Sequence, residues 1–302
     1  MICLVTKSFC QAPNLLIRLG TSIQKTDFRS RSFVPLLIYF YQSGMQVDIL
    51  KVVEVVRKTR SMSLPSFGNV DIKAYKSVSE ADAVTQIDLD IETFLKAELK
   101  VIYPDIPFVG EEFGGDKSAS TFWLVDPIDG TAHYIRGIPF STTMLALIKD
   151  GNVLLSIIYD FVNDIAYYAE RGNGAYKNGE KINVSDRDIQ HAYISCEINS
   201  LKEENKVILS EIRKRAPQIV LRSSGYEYVL VATGKIEARI TYDPFCKDHD
   251  CAPGALLVEE AGGIVRNFNK ESYDYTNLSF YAGNPRVYKV LVEAEEGIPG
   301  LS

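Results

Sequence analysis

A short apolar run, Phe122-Trp123-Leu124-Val125, stops abruptly at Asp126-Pro127 and continues as Ile128-Asp129-Gly130-Thr131. No other segment narrows so far what this chain can become. The run reads as a buried strand, and Asp-Pro predicts its entry into a loop. Asp126 then closes the strand, so its carboxylate can point into a cleft at the sheet edge. Pro127 fixes the backbone and can turn the Ile128 carbonyl toward the same point. Asp129 returns a second carboxylate. Gly130 lets the backbone come close to a ligand. Thr131 offers a hydroxyl and a backbone N–H suited to a phosphate oxygen.

Two other stretches concentrate acids beside apolar runs: Gly110-Glu111-Glu112 and Asp248-His249-Asp250. Carboxylates that converge without basic partners raise one another's pKa unless a cation neutralises them. The nearest Lys or Arg to Asp129 is Arg136, beyond the loop. An all-oxygen donor set suits Mg2+, with Mn2+ as the alternative. Each piece has a plainer reading when taken alone. Glu111 and Glu112 read as solvated loop acids, Asp250 as a helix N-cap, and Asp88 as a cap before a helix. His133 and His249 read as packed or exposed rather than ligating. Cys246, His249 and Cys251 cluster, but their spacing fits no common zinc pattern. Five cysteines with no CxxC argue for a reducing compartment.

The chain has 302 residues, 46% hydrophobic and 24% charged, with a net charge of −6. These are globular values that exclude a disordered tail protein, and the acidic balance argues against a sequence-general nucleic-acid binder. The longest apolar run, Val34 to Tyr41, is far short of the roughly 18 to 20 residues of a membrane span. Residues 1–44 stand apart, with Lys7, Arg18, Lys25, Arg29 and Arg31 against the single acid Asp27. Acid-poor, Arg- and Ser-containing N-termini resemble organellar transit peptides. The preferred reading is a disordered extension or a start at Met45, in a cytoplasmic protein.

From Met45 the pattern is regular. Ile49, Val52, Val53 and Val56 predict a helix capped by Asp48. Val70 to Ala74 alternates weakly as a strand. Ile91, Phe94, Leu95, Leu99 and Ile102 predict a second helix, ended by Tyr103-Pro104-Asp105. Met144 to Ile148 and Val153 to Tyr159 flank Asp150-Gly151, a hairpin signal, and Ile165 to Ala169 extends the meander. Asn173-Gly174 and Asn178-Gly179 mark turns. Later segments alternate. Leu201 to Ala216, Tyr226 to Thr233 and Asp250 to Ala261 predict helices, the last stopped by Gly262-Gly263. Ile219 to Arg222 and Ala238 to Thr241 predict strands. The economical reading is α/β, with one lobe over residues 45–185 that carries the metal site and another over 186–302.

Together the motifs resemble those of the inositol monophosphatase family of lithium-sensitive, magnesium-dependent phosphatases. Trp123-Leu124-Val125-Asp126-Pro127-Ile128-Asp129-Gly130-Thr131 carries the likeness, with Gly110-Glu111-Glu112 before it. His249-Asp250-Cys251-Ala252-Pro253-Gly254-Ala255 and Glu260-Ala261-Gly262-Gly263 follow. Val84-Thr85-Gln86-Ile87-Asp88 and Gly172-Asn173-Gly174-Ala175-Tyr176 are weaker elements. The resemblance implies a layered αβαβα sandwich, usually a homodimer, that hydrolyses small phosphomonoesters by metal-activated water. It assigns one metal to Glu111, Asp126 and the Ile128 carbonyl, a second to Asp126, Asp129 and Asp250, and a third near Glu111. It gives Thr131, supported by Asp88, the attacking water. Gly130 and Thr131 hold the phosphate, and Gly225, Asp243 and Asp250 face the leaving group. Three departures fall in the leaving-group region: His249 where the family usually has Trp, Ala132-His133-Tyr134 after Gly-Thr, and the bulky Tyr226-Glu227 after Gly225. They favour an altered pocket around an intact metal site. The expected substrate is a sugar or polyol phosphate such as inositol monophosphate or fructose 1,6-bisphosphate. The alternatives are 3′-phosphoadenosine 5′-phosphate, histidinol phosphate, or a non-catalytic relative that binds metal and phosphate.

Overall fold

The computed structural model describes residues 47–70, 72–75, 83–294, 297–298 and 300–301, so the basic segment 1–44 lies outside it. The first helix, α1 (Ile49–Lys58), starts where the Leu50 and Lys51 N–H groups donate to Asp48 Oδ1. Its Val52, Val53 and Val56 are buried, as their spacing predicts. A two-stranded ribbon, β1 (Ile72–Tyr75) and β2 (Ala83–Thr85), leads into α2 (Gln86–Ile102). Ile91, Leu95 and Leu99 form its buried stripe, whereas Ile102 is 38% exposed and drops off the predicted face.

A seven-stranded sheet follows: β3 (Phe108–Gly110), β4 (Thr121–Asp129), β5 (Thr142–Lys149), β6 (Asn152–Asp160), β7 (Ile165–Glu170), β8 (Gly174–Lys177) and β9 (Glu180–Lys181), in that spatial order. Only the β3–β4 pair is parallel. Two of its hairpins turn on Asp150-Gly151 and Asn178-Gly179, all four residues at positive φ, as two-residue loops that match strand twist require. A short helix, α3 (Thr131–Arg136), links β4 to β5.

The second sheet has five strands in the order β11-β10-β12-β14-β13, built from β10 (Ile194–Ile198), β11 (Gln218–Ile219), β12 (Ala238–Tyr242), β13 (Ile264–Asn267) and β14 (Phe280–Gly283). Helices α4 (Glu203–Arg215), α5 (Ser224–Ala232), α6 (Asp248–Glu260) and the short α7 (Pro285–Tyr288) complete the chain.

Side-chain alternation along β4 explains the layers. Trp123 and Val125 face α1 and α2 in one hydrophobic cluster. Phe122 and Leu124 face the opposite way and join Tyr228 of α5, Leu257 of α6 and Phe280 of β14 in a second. Ile194, Ile240 and Tyr281 on the far side of the smaller sheet meet Ile208 and Ile212 of α4 and Val287 of α7 in a third. Helix, sheet, helix, sheet, helix is the expected αβαβα order.

Several boundaries differ from the sequence-based expectation. β4 runs on to Asp129, because the β4–β5 ladder breaks register between Asp126 and Asp129 and so accommodates Pro127, which has no N–H to donate. The strand expected at Ile219 to Arg222 is the shorter Gln218–Ile219. α6 begins at Asp248 rather than Asp250. The Asp250 carboxylate reaches back from inside the helix to accept the Lys247 N–H at 2.6 Å, and so satisfies an otherwise orphaned donor. Strands β2, β3, β10, β13 and β14 have no counterpart among the sequence-based expectations.

Candidate metal and phosphate site

The end of β4 and the start of α6 bring Asp126, Asp129 and Asp250 together. One carboxylate oxygen from each lies within 4.8 Å of the others. Asp126 and Asp129 are buried and Asp250 is partly buried. Asp126 Oδ1 is buried without a hydrogen-bond partner. Burial, followed by the charges of Glu111, Asp250 and Asp129, pushes the Asp126 pKa well above the usual carboxylate range. Asp129 is pushed up to about 6 by burial and by Asp250. Burial raises Asp250 as well, with Glu111 adding to the shift. An orphaned buried carboxylate oxygen among mutually repelling acids is what a hard divalent cation relieves, so these residues fit the ions that the sequence implies.

Asp129 is held in place by the turn that opens α5. The Ser223 hydroxyl donates to its Oδ2 at 2.6 Å and the Gly225 N–H at 2.9 Å, while the Ser224 N–H donates to Oδ1 at 2.9 Å. The Thr142 hydroxyl adds a bond at 3.3 Å. A side chain at Gly225 would put its Cβ 2.1 Å from Thr142 Oγ1, so only glycine lets the helix approach this closely.

Glu111 comes in from β3. Its N–H donates to the Val125 carbonyl, which continues the parallel ladder and carries Glu111 alongside Asp126. Glu92 of α2, overlooked in the sequence, anchors this loop. Its buried carboxylate accepts the N–H groups of Glu112 at 2.8 Å and Phe113 at 2.9 Å. A Cβ at Gly110 would sit 1.9 Å from Glu92 Oε1. The signal for Glu92 was present as an acid four residues after Asp88, beside the apolar stripe Ile91–Leu95.

Asp88 is buried near the start of α2, where it accepts the Thr85 N–H at 2.8 Å and the Thr85 hydroxyl at 2.5 Å. Burial, opposed by those bonds, pushes its pKa up to about 7. Thr131 donates its hydroxyl to the Ile128 carbonyl at 2.9 Å. The hydroxyl on Asp88 is therefore that of Thr85, and Thr131 is tied to the neighbouring backbone. Gly130 is left-handed at φ 79°, and a Cβ there would lie 2.7 Å from the Phe140 carbonyl.

Asp243 takes another direction. Its carboxylate meets Lys202 Nζ at 2.6 Å and accepts from Asn205 at 3.1 Å, which already matches its charge. His249 is buried, the packed alternative of the plainer reading. Its Nε2 lies 3.8 Å from Glu111 and 3.9 Å from Asp250, beyond hydrogen-bonding distance and without a partner. Cys246 and Cys251 place their sulfurs 3.2 Å apart, and among the described residues the metal-type cluster is the three aspartates alone. Beside Gly130 and Gly225 runs a row of rings. His133 and Phe140 centroids are 6.2 Å apart and Phe140 and Tyr226 5.3 Å, with the Tyr226 hydroxyl donating to Asp160.

A five-layer sandwich with buried acids converging between a strand end and a helix start defines the class, a metal-dependent phosphatase. The chain belongs to the inositol monophosphatase family, whose model matches residues 42–297. It is 32% identical to human inositol monophosphatase 1 over 222 residues, covering 69% of this chain and 79% of that protein. It is 29% identical to a Thermotoga maritima protein called fructose-1,6-bisphosphatase/inositol-1-monophosphatase, with coverage of 82% and 97%. A Neisseria meningitidis relative named a putative Nus factor, SuhB, is 30% identical with coverage of 78% and 92%. Among solved structures, the Thermotoga maritima IMPase superposes with a TM-score of 0.70 at 26% identity, covering 78% of this chain and 92% of that one. Members of the family are phosphatases acting on phosphate monoesters, and this chain is one by descent. The SuhB likeness means that membership alone does not confine partners to small metabolites. No helix among the described residues is long and apolar enough to cross a membrane.

Proposed function

We propose that the protein hydrolyses small sugar or polyol phosphates, with Mg2+ bound at the acidic cluster. The observation that carries this reading is the orphaned Asp126 Oδ1, clustered with Asp129 and Asp250 and under the charge of Glu111. Asp126, Glu111 and the Ile128 carbonyl would hold one ion, and Asp126, Asp129 and Asp250 would hold another. The bound ions supply an acidified water and neutralise charge on the phosphate. The Gly130–Thr131 backbone receives the phosphate oxygens, and Thr131 orients the attacking water. Asp88, with a pKa near neutrality, holds the adjoining Thr85 turn. Two or three ions, with Mn2+ as a substitute, sensitivity to lithium, a homodimer and a cytoplasmic setting belong to the same reading.

The Thermotoga relative's name supports sugar and polyol phosphates as the substrate class. One observation favours a second reading. The His133, Phe140 and Tyr226 rings lie beside Gly130 and Gly225, a row that suits a planar leaving group such as adenine or imidazole. The test is phosphate release from inositol 1-phosphate, fructose 1,6-bisphosphate, 3′-phosphoadenosine 5′-phosphate and histidinol phosphate, with and without Mg2+. Mg2+-dependent release that disappears in Asp129→Asn is the expected result, and the preferred compound decides between the two readings. No release from any of the four would overturn both.

A further inference from the structure

Arg239 carries no motif signal and stands outside the aspartate cluster. It lies on β12, 1% exposed, one of the largest fully buried side chains in the described protein. A buried guanidinium must be matched on most of its N–H groups. Here it is matched from two directions. NH1 donates to Glu227 of α5. NH2 donates to Ser224 Oγ at 3.0 Å and to Glu197 Oε2 of β10 at 2.5 Å. The guanidinium also lies 4.8 Å over the Tyr228 ring.

Each acid passes the constraint onward. Glu227 Oε1 accepts the N–H groups of Leu221 at 2.9 Å and Arg222 at 3.1 Å, which fixes the chain entering α5. Arg222 is held there at φ 55°, the left-handed conformation that such a residue rarely adopts. The next three residues supply the Ser223 hydroxyl and the Ser224 and Gly225 N–H groups that grip Asp129. On the other side, Glu197 Oε1 accepts the Cys246 N–H at 2.9 Å. The following residue, Lys247, donates its N–H to Asp250. One side chain thus ties together the backbone holding two of the three clustered aspartates, which come from β4 and α6.

We infer that Arg239, through Glu197 and Glu227, is the positioning residue that presets the distance between the Asp129 and Asp250 carboxylates for the metal. This rests on the metal site proposed above. The planar fork is essential, because a lysine point charge cannot meet Glu227, Glu197 and Ser224 in fixed directions at once.

The experiment is Mg2+ titration by calorimetry, with melting of the metal-free protein as a parallel readout. The variants are Arg239→Lys, Glu197→Gln and Ser224→Ala, the last two each cutting one arm of the clamp without opening a large cavity. The expected result is Mg2+ binding weaker by about tenfold or more in Arg239→Lys and Glu197→Gln, as for other groups that orient metal ligands. In the same variants, saturating Mg2+ should restore most of kcat and leave KM for the phosphate substrate unchanged. A purely structural role would lower the melting temperature and leave Mg2+ affinity alone. Folded Glu197→Gln and Ser224→Ala proteins that bind Mg2+ within about twofold of the parent would overturn the inference, whether or not Arg239→Lys folds. A parent protein that takes up no Mg2+ would overturn the metal site itself, and that failure is visible before any variant is made.

Discussion

At the scale of single residues, the site is a set of acids kept out of water without their counter-charge. Asp88 is pushed up to about 7 and Asp129 to about 6, and Asp126 and Asp250 are also raised, burial being the largest cause in each case. A carboxylate raised above its unfolded value, about 4, contributes stability that is fully present below that value. The contribution is lost as pH rises through 6 to 7. The metal-free protein is therefore expected to melt lower at pH 8 than at pH 5.5 on account of these groups. Mg2+ replaces the protons, so its stabilising effect should grow with pH. Melting curves with and without Mg2+ at both pH values check this, and an Mg2+ increment no larger at pH 8 would refute it. The sequence already showed that Asp126 and Asp129 had no nearby base. It did not show that Asp243 would be matched by Lys202 and Asn205, because those partners come from another element.

At the scale of elements, the site depends on close approaches that glycine allows. Gly110 lets β3 run over the Glu92 carboxylate of α2, which in turn holds the Glu112 and Phe113 N–H groups. Gly110→Ala is expected to destabilise by about 1 to 3 kcal/mol through overpacking. It should also weaken Mg2+ binding, since Glu111 is displaced with the loop. Thermal melting and Mg2+ calorimetry on one sample check both, and full Mg2+ affinity in the variant would show that the loop position is set elsewhere. Most elements were legible from local pattern. The two-residue turns at Asp150-Gly151 and Asn178-Gly179, the stripe of α2 and the glycine stop of α6 all lie where their chemistry placed them. β13 and β14 were missed. β14 is buried along its whole length and so lacks the polar–apolar alternation that marks a half-exposed strand.

At the scale of the whole molecule, α6 is the shared layer. It packs against β4 through β8 of the larger sheet and against β13 and β14 of the smaller, with Leu257 fully buried in the cluster between them. Leu257→Ala is expected to cost about 2 to 5 kcal/mol and to weaken both sheets at once. The single tryptophan, Trp123, lies on the larger sheet. Urea unfolding followed by its fluorescence and by far-ultraviolet circular dichroism should therefore give coincident transitions. Separate midpoints would mean that the two sheets unfold independently. The sequence by itself, through the resemblance its motifs carry, determined the αβαβα order, the two aspartate-bearing motifs and the family to which the chain belongs. Periodicity, turn residues and uncompensated acids are local properties, readable in a window of a few residues. The tertiary structure alone decided who holds those acids. Glu92 acts on residues 20 and 21 positions away, Ser223 reaches Asp129 across 94, and Arg239 reaches Glu197 across 42. Such pairings follow from how sheets and helices stack, and stacking leaves no mark in the pattern of neighbours along the chain.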